Sequence, residues 1–112
     1  MRGVDPKVAA LYRRFERMVR DCGEVLVSPT KTMVVFKARA TFASVAFRKD
    51  GLRVGIMLAR RLASPRIVKV ETVSPHSHAH VFIVRVPEDL DPEVRSWLRE
   101  AYGTSIARHP AR

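Results

Sequence analysis

A chain of 112 residues, 46% apolar and with a formal net charge of +10 at pH 7, has the size and the apolar content of one domain built on one core. No run approaches the roughly 18 consecutive apolar residues of a membrane span, and the N-terminal stretch lacks the apolar segment of a signal peptide, so the expected setting is the cytoplasm, with no membrane partner. A single cysteine excludes an internal disulfide, and Cys22, beside Asp21 at the end of a predicted helix, reads as an inert thiol.

In chain order, the first element is a helix. Asp5 suits an N-cap and Pro6 a first helical turn, and Val8, Leu11, Tyr12, Phe15, Met18 and Val19 then recur at spacings of three and four. This predicts an amphipathic helix from about Pro6 to Arg20, ending near Gly23. Its polar face carries five basic residues against one acid, Glu16.

A β-rich region follows, with predicted strands over 24–27, 31–36, 41–49, 52–58, 67–73 and 80–86, bounded by turn residues such as Ser28-Pro29-Thr30. Asp50-Gly51 between two such runs is a hairpin signal, because a type I′ turn needs positive φ at both central residues. A turn there would set Lys49 opposite Leu52, Phe47 opposite Val54 and Val45 opposite Ile56 on an apolar core face. The other face would pair Arg48 with Arg53 above the small residues Ala46, Gly55 and Ser44. Like charges opposite each other cost up to about 1 kcal/mol, so the two arginines bracket an anion, splay into water, or are met by Glu71 or an acid of the last helix.

The segment 59–66, with Ser64-Pro65, is the longest connector and is expected to be mobile. Beyond it, His76, His78 and His80 are spaced by two, which on a strand sets three imidazoles on one face, roughly 6.5 to 7 Å apart per step. Such a row is a weak candidate for zinc or nickel. A polar approach to a strand whose Phe82, Val84 and Val86 turn inward accounts for it with no metal or other cofactor. The last element repeats the opening grammar: Asp91 caps, Pro92 follows, and Val94, Trp97, Leu98, Ala101 and Tyr102 form a stripe up to Gly103. The tail from 104 to 112 is expected to fray.

The predicted architecture is α+β: a meandering antiparallel sheet of five or six strands, with an N-terminal and a C-terminal helix on one face, in a single domain over 1–112. No catalytic residues stand out. The acids sit on caps and on the last helix, and no glycine-rich phosphate loop or serine elbow is present, so a non-enzyme is expected. What does stand out is charge. Between Lys31 and Lys69 ten lysines and arginines meet one acid, Asp50, whereas five acids meet Arg95 and Arg99 between Glu88 and Glu100. A concentration of one sign argues for an anionic partner and says nothing of fold. Arg48, Arg53, Lys69, Lys31, Lys37, Arg39, Arg60 and Arg61 are the candidate contacts, with Phe42 the one aromatic among them expected to be exposed.

Four stretches carry a family resemblance: Leu11 to Val19; Thr30-Lys31-Thr32 entering the strand to Phe36; Phe42-Ala43 through Asp50-Gly51-Leu52; and His80 running to Trp97-Leu98-Arg99-Glu100-Ala101-Tyr102. Over nearly its whole length the chain resembles the bacterial family called domain of unknown function 5655. That resemblance implies a compact α+β domain without an established activity, and it supplies no catalytic residues. The expectation is therefore a binding module whose basic sheet surface and first helix meet nucleic acid or another polyanion. The competing reading is a homodimeric scaffold or accessory protein, or a small-anion binder.

Overall fold

The computed structural model describes residues 4–108. Its elements are α1 (Pro6–Arg20), β1 (Leu26–Pro29), β2 (Met33–Lys37), β3 (Thr41–Arg48), β4 (Gly51–Leu58), β5 (Lys69–Ser74), β6 (Ser77–Val84), a 3₁₀ turn (Pro87–Asp89) and α2 (Pro92–Arg108). α1 forms where its periodicity places it: the Asp5 carboxylate accepts from the Lys7 amide at 2.8 Å, and the stripe from Val8 to Val19 is buried. Gly23 follows with φ of 147°, a conformation that L side chains rarely adopt.

The six strands make one antiparallel sheet in the order β1-β2-β3-β4-β6-β5. It is not the expected simple meander, because the β5-β6 hairpin folds back to set β6 against β4 and leave β5 at the edge. The reason lies in what each strand must bury. β6 alternates buried and half-buried side chains along its length, including Phe82 and Val84, whereas β5 carries exposed Lys69, Glu71, Thr72 and Val73. Val86, expected to continue the inward row, lies beyond the strand and is exposed.

Both helices pack on one face, where Phe15 and Val19 of α1 and Trp97 and Leu98 of α2 close over Val45, Val54, Ile56, Leu58 and Phe82. The core face of the β3-β4 hairpin is the predicted one, but the pairing slides by two residues: Arg48 lies opposite Gly51, Phe47 opposite Leu52 and Ala46 opposite Arg53. Side chains alternate with a period of two, so this slip preserves the faces while changing every partner. Lys49 and Asp50 form the tip. Neither has positive φ, so the turn is not type I′. Gly51 is needed inside β4, where a Cβ would run into the Val84 carbonyl oxygen of β6.

The second correction concerns α2, which passes through Gly103 to Arg108 where a stop and a fraying tail from 104 were expected; residues 109–112 lie outside the described residues. The extra turn has a tertiary anchor. The Ser105 hydroxyl is buried, accepts from the Ala40 amide at 3.0 Å and donates to the Ala40 carbonyl at 3.0 Å. The helix also brings Tyr102 edge-on to Phe42 at 5.4 Å between ring centroids, so the aromatic expected to be exposed is buried.

Candidate polyanion-binding surface

The cations that are dense in sequence between residues 31 and 69 disperse in space. Arg60 donates to both Glu100 carboxylate oxygens, at 2.8 and 2.9 Å, and Arg61 donates to the Thr72 hydroxyl at 2.9 Å. Arg66 is the most committed. It donates to Asp91, Glu93 and the Asp89 carbonyl, and its guanidinium lies 5.5 Å from the Trp97 ring centre. Burial opposes its charge, but the bonds to Asp91 and Glu93 outweigh that and hold the guanidinium protonated. The expected mobile connector is thereby tied down to α2.

The remaining candidates occupy separate places. Lys31 is at the tip between β1 and β2. Lys37 and Arg39 line a groove with Arg20, Glu24 and Tyr102, on the side where α1 ends. Lys69 lies 3.5 Å from Glu71 on the edge strand. Arg53 stands on the open face of the sheet, diagonal to Arg48 and not opposite it. The two therefore do not form the cross-strand pair that the Asp50-Gly51 turn predicts.

The histidine row is broken by the fold. His76 lies in the β5-β6 turn, so only His78 and His80 share the strand. His80 is fully buried; its Nε2 accepts from the Leu62 amide at 2.8 Å, and its Nδ1 sits 2.9 Å from the His78 carbonyl oxygen. A neutral ring with its proton on Nδ1 satisfies both. Burial holds its pKa below the ordinary histidine value. His78 Nδ1 is 3.0 Å from the Thr72 hydroxyl. Among the described residues no group of three His, Cys, Asp or Glu side chains gathers as metal ligands do. Burial also pushes the Cys22 thiol up, away from reactive thiolate.

The cations that do converge lie chiefly on α1. Lys7, Arg14 and Arg17 project into a groove of about 450 Å³ between α1 and the strand exit at Arg85, Val86 and Pro87. Ala10 and Leu11 complete it, and no acid lines it. Lys7, Arg14 and Arg17 make no ion pair among the described residues. Arg85 Nε and Arg48 Nε lie 3.6 and 3.9 Å from the two oxygens of Asp50, so the hairpin tip adjoins the groove. Such exposed pairs are weak. At 100° per residue, positions 7 and 14 nearly superimpose on a helix and position 17 is about 60° away, so the α1 half was readable in sequence. Arg85, some seventy residues on, was missed because only the course of the chain as it leaves β6 brings it in.

No helix among the described residues is long and apolar enough to cross a membrane. A family model, "Domain of unknown function (DUF5655)", matches residues 1–105. No curated protein and no solved structure matches the chain.

Proposed function

The chain belongs to the DUF5655 family, and since that family carries no assigned activity we propose from its surface that it is a binding module whose α1 groove grips the phosphates of nucleic acid. The observation that carries this reading is the convergence of Lys7, Arg14, Arg17 and Arg85 on one groove with no acid in its lining. Four like charges held together repel one another, and a row of phosphates relieves that repulsion. The apolar floor beside them lowers the local dielectric and strengthens each contact.

Recognition is led by the backbone. Single-strand binders stack bases on exposed aromatic rings. Here Phe15, Phe36, Phe42, Phe82, Trp97 and Tyr12 are buried, and Phe47 packs on Tyr12 at 5.3 Å. A duplex bound with little sequence preference fits these residues best, and this reading takes the chain to act in the cytoplasm.

Fluorescence anisotropy of a labelled duplex across a salt series tests it. Each phosphate neutralised adds about 0.9 to the slope of log affinity against log salt, so Lys7→Ala/Arg14→Ala/Arg17→Ala should flatten the slope by two to three. Arg60→Ala removes a positive charge that Glu100 already holds and should change little. No binding near physiological salt, or equal weakening by Arg60→Ala and Arg14→Ala, would overturn the reading.

A further inference from the structure

We propose that the open face of the sheet, opposite the two helices, docks an acidic amphipathic helix of a partner protein. Every residue at the centre of this face is only half-buried. Register sets Ser28, Val35, Ser44, Gly55, Val81 and Lys69 in one row across the sheet, and Met33, Ala46, Arg53 and Ile83 in the next. Small residues and Arg53 occupy its centre, flanked by the aliphatic Val35, Val81 and Ile83 and by Met33, one of the exposed large apolar side chains of the molecule. Its charges are chiefly positive: Lys69 lies 3.5 Å from Glu71 and Arg48 lies 3.9 Å from Asp50, while Arg53 stands between them with no acid beside it among the described residues.

Size and charge choose the occupant. Four strands about 4.8 Å apart and two rows about 6.7 Å apart give an area of roughly 20 by 13 Å, on the order of 260 Å². A stable dimer buries about 800 Å² per partner, about three times as much. A second copy would also set its own Arg53 against a face already positive. One helix of about four turns is some 20 Å long and covers such an area. Acids flanking its apolar stripe would meet Arg53, which has no ion pair among the described residues. Single-stranded nucleic acid is disfavoured here because no aromatic ring lies in the two rows.

The probe is a fluorescein-labelled synthetic peptide of about 16 residues, with leucines at helical spacing flanked by glutamates, beside a scrambled peptide of the same composition. The amphipathic peptide should bind the full chain in the micromolar range, about tenfold more weakly after Ala46→Glu or Val81→Glu, and several-fold more weakly after Arg53→Ala. Arg14→Ala, on the α1 groove, should leave this binding unchanged, which separates it from phosphate binding. Melting curves and circular dichroism establish that each variant folds. The proposal is overturned if the scrambled peptide binds as tightly, if a folded Ala46→Glu chain binds as before, or if sedimentation shows the chain dimerising through this face until Ala46→Glu dissolves the dimer.

Discussion

A methyl group added at Gly51 and one added at Gly103 meet opposite surroundings. At Gly51 the nearest atoms are backbone, the Val84 carbonyl and the Arg85 Cα, and they cannot step aside without parting β4 from β6. Gly51→Ala should therefore cost about 1–3 kcal/mol. Gly103 lies inside α2 with nothing within 4 Å of the added carbon, so Gly103→Ala should stabilise by about 0.5–1 kcal/mol. Urea midpoints for the two variants should move in opposite directions. His80 makes a separate prediction about pH. Its folded pKa is lowered, chiefly by burial, so the unfolded chain takes up the proton first. Stability contributed by the neutral ring is full above about pH 6.5 and falls as pH drops through the folded value. Melting temperature should decline across that window, and His80→Gln should flatten the decline while lowering stability at pH 7.

At the scale of elements, the connector between β4 and β5 shows how a loop-like sequence becomes a fixed strap. Its Leu62 amide is held by His80, Arg60 by Glu100, and Arg66 by the acids and a carbonyl that lead into α2. The Asp91 carboxylate serves twice, accepting from the Val94 amide as a helix cap and from Arg66. Burial opposes the charge on Asp91, but these bonds outweigh it and hold its pKa below the usual carboxylate value. Arg66→Ala should destabilise by about 1–2 kcal/mol, because it leaves the Asp89 carbonyl without its donor and uncovers Trp97, while the solvent-accessible Asp91 and Glu93 carboxylates rehydrate. Arg66→Lys should recover little, since an ammonium cannot reproduce the planar fork. Melting temperatures of the two variants compare directly, and a full rescue by lysine would show that charge alone suffices.

For the molecule as a whole, the decisive fact is where the charge is left over. α2 and the residue before it pair Glu100 with Arg60, and Asp91 and Glu93 with Arg66, while Arg95 of α2 meets Asp21 at the end of α1. The outer face of α1 and the hairpin tip keep their excess. Self-repulsion there destabilises the compact state, and salt screens it. Raising sodium chloride from about 10 mM to about 0.3 M should raise the melting temperature. A fall would mean that the ion pairs of α2 outweigh the repulsion.

Taken alone, the sequence determined what depends on neighbours in the chain. α1 and its cap, the α+β class and the core face of the β3-β4 hairpin all follow from local periodicity, because a period of 3.6 or 2 fixes which side chains share a face. The convergence of Lys7, Arg14 and Arg17 belongs here too. Tertiary structure alone decided the rest. Gly51 reads locally as a turn residue, yet it serves inside β4 where the β6 backbone leaves no room for a Cβ, and no local signal reports a neighbour thirty residues away. α2 ran past Gly103 because Ser105 found Ala40. The ten-cation run came apart because an arginine in a loop goes to the nearest carboxylate in space, and Arg60 and Arg66 found theirs on and beside α2. Charge density along a chain measures composition, whereas a binding surface needs cations left without acids after packing. Lys7, Arg14 and Arg17 belong to that remainder among the described residues, and only packing adds Arg85 to their groove.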